Sequence, residues 1–463
     1  GIAEHHRGRG DPEVLRHTLL TFPITVPLSF RSRSTLRAGH RLAPRTLGVI
    51  LLAALVAVVA GCTDADSSSS PSNTGATVST TVIRATTSVP PPPAATMPGA
   101  FAASGPISAP VRIGPPAGSA LDGIDRDAGV SVRLRDGSTL WLFGDTARAD
   151  DNGALEYFEI GTAAWAAPGE PTITRDVDQG GTPVAFATPQ AGFPPCPGSA
   201  PTPGMWPSSA VVQPLGDVDR VIVWMENICL GSSIHGAARG IAVAEWIYDP
   251  ARPPTDAPIR ARILNQTLFP QRSFGLASLV DDDGRAVVYT CQAPEQGGMP
   301  EQYGPCHAAK VDLDRVADPT AYSTWTGQDF TGTVMSSMPL SFEPGSIAAP
   351  LPAGSFSVTK DPHLGRYVMV YSPWPGYSDS LVIRTATAPT GPWSVPTVVP
   401  LPNCSDAVGP ITFWCYAASA QPIFSEPGKL GVGYYDRSVS TGPVRGSYLV
   451  ATVPYDAAVP AGG

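Results

Sequence analysis

Lysine is nearly absent from this 463-residue chain: only Lys310, Lys360 and Lys429 occur, and arginine carries almost all the positive charge. No basic stripe interrupts the acidic balance of −9. Eight arginines against three acids give residues 1–61 a charge of +5, so the remainder carries −14. A body of that sign argues against nucleic acid as a partner and against electrostatic docking on anionic lipid. Helical periodicity is also missing, as are a Gly-x-Ser-x-Gly elbow, a Walker loop and a Gly-x-Gly-x-x-Gly turn, which removes the common nucleophile and nucleotide sites. No Cys-x-x-Cys is present, and only His235, His307 and His363 fall in the body of the chain, so a zinc site is not expected.

What is present begins at the N-terminus. An apolar run from Leu47 to Ala60 follows the basic stretch and ends in Val59-Ala60-Gly61-Cys62. It is short for a spanning helix, which needs roughly 20 apolar residues, and reads as a secretory signal of the lipoprotein kind with Cys62 as the lipidated residue, residues 1–36 being an over-long start or extended leader. A plain secretory signal with an unmodified cysteine is the alternative. Residues 62–106 are rich in Ser, Thr, Pro and Ala and read as a disordered tether. The chain is thus expected to be exported and held by its lipid on the outer face of the cell membrane. Six further cysteines, an even number in such a setting, point to three disulfides, most simply between sequence neighbours: Cys196 with Cys229, Cys291 with Cys306, Cys404 with Cys415.

From Ile107 onward, short alternating or wholly apolar runs are punctuated by Gly, Pro, Asp and Asn, the pattern of an all-β fold. Five runs are alike: Thr139–Asp145, Arg220–Glu226, Arg285–Cys291, Arg366–Ser372 and Lys429–Tyr435, at spacings of 81, 65, 81 and 63 residues. Each has a strand-like run before it and another after it. That repetition predicts a five-bladed β-propeller over residues 107–463, a single closed and monomeric ring; two paired β-sandwiches are the alternative.

The most informative stretch is Asp127 to Thr146. Arg135-Asp136-Gly137 suits a three-residue hairpin loop, and counting outward sets Val132 opposite Leu140, Val130 opposite Leu142 and Asp127 opposite Asp145. Two carboxylates facing each other cost stability, so a use is implied: an acid pair in a catalytic centre, or a pair of cation ligands. The bland reading leaves Asp145 capping a turn and Asp127 in solvent. Aligning the five repeats adds Glu226 at the position of Asp145. It also brings Trp206, Ser208, Phe274, Phe356 and Tyr416 to one rim as candidate substrate contacts, rings for the apolar faces of a sugar and hydroxyls for its edges. Asp281-Asp282-Asp283-Gly284 also suggests a structural calcium, but its place between two strands reads instead as a solvated turn. No other cofactor is expected.

The hairpin segment, Met205-Trp206-Pro207-Ser208 and Arg384-Thr-Ala-Thr-Ala-Pro-Thr-Gly-Pro-Trp393 together resemble the actinobacterial exported propellers known as domains of unknown function, some of whose relatives are endo-D-arabinanases of mycobacterial cell-wall arabinan. The Thr-Gly-Pro-Trp ending is also similar to a blade motif of arabinanase and fructan-hydrolase propellers. The resemblance spans most of residues 120–440. It implies a surface-tethered glycoside hydrolase acting on furanose-rich envelope polysaccharide, with Asp127 and Asp145 catalytic and Arg384 added to the substrate contacts. A propeller that binds glycan or an envelope protein without turnover is the alternative.

Overall fold

The computed structural model describes residues 99–456, apart from residues 151, 153, 177–181, 198–200, 232–236, 256, 271–273, 292–304, 334–335, 344–354, 374–377, 403, 405–414 and 437–445. The leader, Cys62 and the tether lie outside the described residues. Among those described, no helix is long and apolar enough to cross a membrane.

The fold is an all-β propeller of five blades, as the repeat spacing predicts. The first strand, β1 (Val111–Arg112), precedes them all. Blade I holds β2 (Asp125–Arg126), β3 (Val130–Arg133), β4 (Thr139–Ala149), β5 (Leu155–Ala166) and β6 (Thr174–Arg175). Blade II is β7 (Thr202–Leu215), β8 (Val218–Leu230), β9 (Ala237–Tyr248) and β10 (Arg262–Phe269). Blade III runs through β11 (Ala277–Val280), β12 (Ala286–Cys291), β13 (Cys306–Val311), β14 (Ser323–Trp325) and β15 (Phe330–Gly332). Blade IV is β16 (Phe356–Asp361), β17 (Arg366–Tyr371), β18 (Ser380–Ala386) and β19 (Thr397–Pro400), and blade V is β20 (Cys415–Ala420), β21 (Lys429–Asp436) and β22 (Ser447–Pro454). Strand β1 pairs with β22 as the outermost strand of blade V, so the beginning of the fold closes its end. Closure removes exposed sheet edges. The separate-sandwich alternative is thereby excluded.

The five repeated runs are the second strands of the blades. They are apolar on both sides because each blade is covered by its neighbours: Val221, Ile222, Val223 and Trp224 of β8 are all wholly buried. Their side chains divide between two layers, Val221 and Val223 packing with Leu140 and Leu142 of blade I, Ile222 and Trp224 with Val288 and Tyr289 of blade III. The packed chain begins by Phe101, ahead of the boundary read from composition, with its ring 5.5 Å from that of Tyr455. All three disulfides join sequence neighbours: Cys196–Cys229, Cys291–Cys306 and Cys404–Cys415. The Asp281–Gly284 stretch is the turn between β11 and β12, where Asp281 accepts the Asp283 and Arg285 N–H groups and pairs with Lys310, and Asp282 pairs with Lys360. Its acids are engaged by the protein itself.

A polar latch reinforces closure between blades V and I. Gln421, only 1% exposed, donates to the Gly129 carbonyl at 3.0 Å and to Tyr448 at 2.8 Å, and its side-chain oxygen accepts from Ser131 at 2.5 Å. Replacing Gln421 by Leu strands these buried partners, which costs about 1–3 kcal/mol. Urea unfolding of Gln421→Leu is expected to show that loss, and an unchanged midpoint would remove the latch from the account of closure.

Candidate active site

The hairpin forms with the expected register: Val132 faces Leu140 and Val130 faces Leu142. The Arg135-Asp136-Gly137 loop closes with Leu134 N–H to Ser138 O at 2.9 Å, and Gly137 takes the positive φ of 84° that this loop needs. At the other end Asp127 and Asp145 do meet: the Asp127 N–H donates to the Asp145 carbonyl at 3.1 Å, and the Asp145 N–H donates to Asp127 Oδ1 at 2.6 Å. Asp127 sits in an interruption between β2 and β3, where Ala128 adopts a φ of 50°. Ala417, next to Tyr416, has a φ of 55°. Left-handed alanines cost energy and concentrate at sites where the chain must aim a neighbour.

The innermost strands of all five blades enclose a cavity of about 610 Å³. Asp127, Glu226, Trp206, Ser208, Phe356 and Tyr416 line it. Two β-bulges set blade II's contribution: the register of β7 on β8 shifts between Pro207 and Ser209, leaving Ser208 unpaired, and that of β8 on β9 shifts between Glu226 and Ile228. Bulges re-aim side chains, here on both sides of the directly opposed pair Trp206 and Glu226. Lys360 and Arg133, also in the lining, lie at the far ends of their strands, away from Phe356 on β16 and from Asp127 just before β3.

Three of the proposed residues lie elsewhere. Asp145 is beside the cavity but not in its lining, because its Oδ1 accepts the Trp206 indole N–H at 2.7 Å. Phe274, 2% exposed, packs edge-on against Phe269 in the core between blades. Arg384, 1% exposed, donates to the Tyr371 hydroxyl at 3.0 Å and the Ser394 carbonyl at 2.8 Å, with its guanidinium over the Phe342 ring. The Thr390-Gly-Pro-Trp393 ending is equally internal: Trp393 is wholly buried and its N–H donates to the Ser341 carbonyl at 2.8 Å. This motif fastens the chain ahead of blade IV to its third strand, so neither it nor Arg384 reaches the cavity.

Other residues complete the acid cluster. Gly144 has no room for a side chain: a Cβ there would stand 2.5 Å from Asp127 Oδ1. A glycine inside an otherwise apolar strand is the sequence signal that could have marked it. Tyr416 donates to Asp127 Oδ2 at 2.7 Å and lies 4.7 Å, ring to ring, from Tyr435, which donates to Asp125 at 3.0 Å. Arg126 is turned away into a buried ion pair with Asp176 and does not neutralise the cluster.

Burial raises the pKa of Asp127, opposed by the hydrogen bonds from Tyr416 and from the Asp145 backbone. Asp145 is pushed up to about 8, by burial first and then by the charge of Asp127, with the Trp206 N–H pulling the other way and Asp125 adding to the rise. Two carboxyls in such contact titrate as a pair. A donor on each of its oxygens makes Asp127 the better anion of the pair, while burial raises both carboxyls. A carboxyl raised from 3.8 to about 8 binds more protons native than unfolded throughout that interval, so its contribution makes stability decline as pH rises from about 4 and level off above about 8. Urea unfolding at pH 5 and pH 8 is expected to show a smaller decline in Asp145→Asn than in the parent; equal declines would mean that Asp145 carries no extra proton.

Among the described residues, three metal-ligand-type groups come together only at Cys404, Cys415 and Asp436, and there the two sulfurs are bonded to each other.

No protein-family model and no curated protein sequence matches the chain. Solved structures do. A protein from Bacteroides ovatus shares 16% identity over 71% of this chain and 85% of its own, with a TM-score of 0.47. A GH43_1 enzyme from Xanthomonas citri shares 14% over 74% and 89%, with a TM-score of 0.40. A GH43 beta-xylosidase/alpha-arabinofuranosidase from a compost metagenome shares 12% over 75% and 96%, with a TM-score of 0.42. Identity and overlap this low leave the chemistry to be decided by the chain's own residues.

Proposed function

We propose that the cavity is the active site of a glycoside hydrolase, acting on a furanose-rich polysaccharide of the cell envelope, arabinan first, with the chain held on the outer face of the cell membrane through a lipid on Cys62. The observation that carries the reading is the placing of two carboxyl groups, Asp127 and Glu226, from adjacent blades in one cavity with the Trp206 and Tyr416 rings. Asp127, whose two donors favour its anion against burial, serves as base: it takes a proton from a water whose oxygen bonds to the anomeric carbon. As the glycosidic C–O bond breaks, the leaving oxygen takes up a proton from the side of the cavity where Glu226 stands. Asp145 retains its own proton and spares Asp127 a second negative charge. The aromatic rings receive the apolar face of the sugar.

An inverting enzyme keeps its carboxyls roughly 6.5–9.5 Å apart to hold the water. The hairpin pair is too close for that, whereas Asp127 and Glu226 belong to different blades. The first-formed product observed by NMR is therefore expected to have the inverted anomeric configuration; a retained product would return the second role to Asp145.

One observation favours a glycan-binding propeller without turnover: both oxygens of Asp127 already accept hydrogen bonds within the protein. Incubating the purified protein with arabinogalactan and with xylan separates the readings. Oligosaccharide release from arabinogalactan is expected, and no release from either polymer would leave binding as the function.

A further inference from the structure

The repeated run that ends on Asp145 in blade I and on Glu226 in blade II ends on Ser372 in blade IV and on Tyr435 in blade V. Neither Ser372 nor Tyr435 lines the cavity. Both instead hold Tyr416, which does.

Tyr416 sits in an irregular stretch of β20. The register of β20 on β21 shifts between Tyr416 and Ser419, and Ala417 takes its φ of 55° inside that shift. An alanine in the left-handed region persists only where its surroundings over-determine it. Here they do: the Ala418 N–H donates to Ser372 Oγ at 3.0 Å, with Ser372 only 5% exposed, and the Cys415 carbonyl accepts the Ser378 N–H at 2.9 Å. The chain around blade IV thus grips β20 on both sides of Tyr416, while the Tyr435 ring lies against the Tyr416 ring. What Tyr416 touches is the acid. Asp127 Oδ1 is held from the strand by the Asp145 N–H, with Gly144 packed against it, whereas Oδ2 accepts the Tyr416 hydroxyl at 2.7 Å.

We infer that Ser372 is a positioning residue for Asp127: by fixing the peptide between Ala417 and Ala418 it aims the Tyr416 hydroxyl, and the hydroxyl fixes Oδ2 as the oxygen that takes the proton from water. The inference rests on the hydrolase reading for the proton transfer, and on the geometry alone for the hold on Oδ2. The titratable groups around Asp127 are Asp145 on β4, Asp125 on β2, Tyr416 on β20, Tyr435 on β21 and, across the cavity, Glu226 on β8; Arg126 pairs with Asp176 instead. In that acidic setting the Tyr416 hydrogen bond works against burial and lowers the Asp127 pKa. Slackening it lets that pKa rise, so a base that must be ionised loses activity at a higher pH than in the parent.

The test is a double-mutant cycle on the full protein with Ser372→Ala, Tyr416→Phe and both changes together. It is read as kcat and KM on arabinogalactan across pH, and as the carbon-13 titration of the Asp127 carboxyl, assigned by its loss in Asp127→Asn. Thermal melts fix a temperature at which all the proteins are folded. Turnover is expected to fall about tenfold in Tyr416→Phe and about threefold in Ser372→Ala, the scale of a hydrogen bond to a charged group lost or slackened. KM should change little, and the acid limb of the kcat profile should move to higher pH in both. The double variant should match Tyr416→Phe, because Ser372 acts through the hydroxyl. Falls that multiply in the double variant, or a parental acid limb in Ser372→Ala, would overturn the inference. The two readings fail separately: if the parent releases no reducing ends the hydrolase reading fails, and the carboxyl titration decides the hold on Oδ2, which stands if the Asp127 titration moves up in both variants and falls if it stays at the parental position.

Discussion

Asp127→Asn is expected to lower turnover of arabinan by about 10²–10⁴-fold, the contribution of a positioned general base, while the propeller stays folded. Asparagine keeps the size of the side chain and one acceptor, and it removes the charge that raises Asp145. Glycan affinity should then change far less than turnover, since the rings of Trp206 and Tyr416 remain in the cavity. Reducing-end release and a thermal melt on the same preparation check both halves, and wild-type turnover in the variant would take Asp127 out of the chemistry. Asp145→Asn keeps a neutral side chain and an acceptor for the Trp206 indole N–H, so it is expected to retain most of the activity, and loss of hydrolysis in this variant would give Asp145 a reacting role of its own.

Gly144→Ala is the second large effect. A Cβ at this position would stand 2.5 Å from Asp127 Oδ1 and 3.2 Å from the Ala128 Cβ, in a strand whose N–H donates to the Asp127 carbonyl at 2.9 Å. The carboxylate must shift, and displacement of a reacting group by about 1 Å costs on the order of 10²-fold in rate. The added methyl also overpacks a buried position, which typically costs about 1–3 kcal/mol, so kcat is compared at a temperature where the variant is fully folded. Parental kcat in Gly144→Ala would show that Asp127 tolerates displacement and is not the reacting base.

The fold was legible in the sequence because a propeller repeats itself. Runs such as Arg220–Glu226 and Arg366–Ser372 are apolar on both sides, and only blades covered by neighbours explain that. The hairpin register could be counted from Gly137, since its positive φ leaves one way to close the loop. Disulfide partners were legible because each pair spans one local connection, as Cys291 and Cys306 do as direct neighbours on β12 and β13. The cavity residues were reached by aligning blades, which places backbones at one rim but cannot say which way a side chain turns. Phe274 and Arg384 turned inward, Arg384 because Tyr371 and Ser394, on other segments, supply acceptors that no local pattern announces. Asp145 was found as the partner of Asp127, yet its part as proton carrier depends on burial among the blades, which the indole N–H from the next blade opposes. Gly144 was passed over because its meaning lies in the space left for Asp127.

Cleavage by the Asp127 and Glu226 cavity of the glycan it binds is tested by calorimetric affinity for an arabino-oligosaccharide, compared with its rate of hydrolysis in the parent and in Asp127→Asn. The parent is expected to bind and cleave, while Asp127→Asn binds with near-parental affinity and does not cleave. A parent that binds without cleaving, joined to an Asp127→Asn variant that no longer binds, would contradict it.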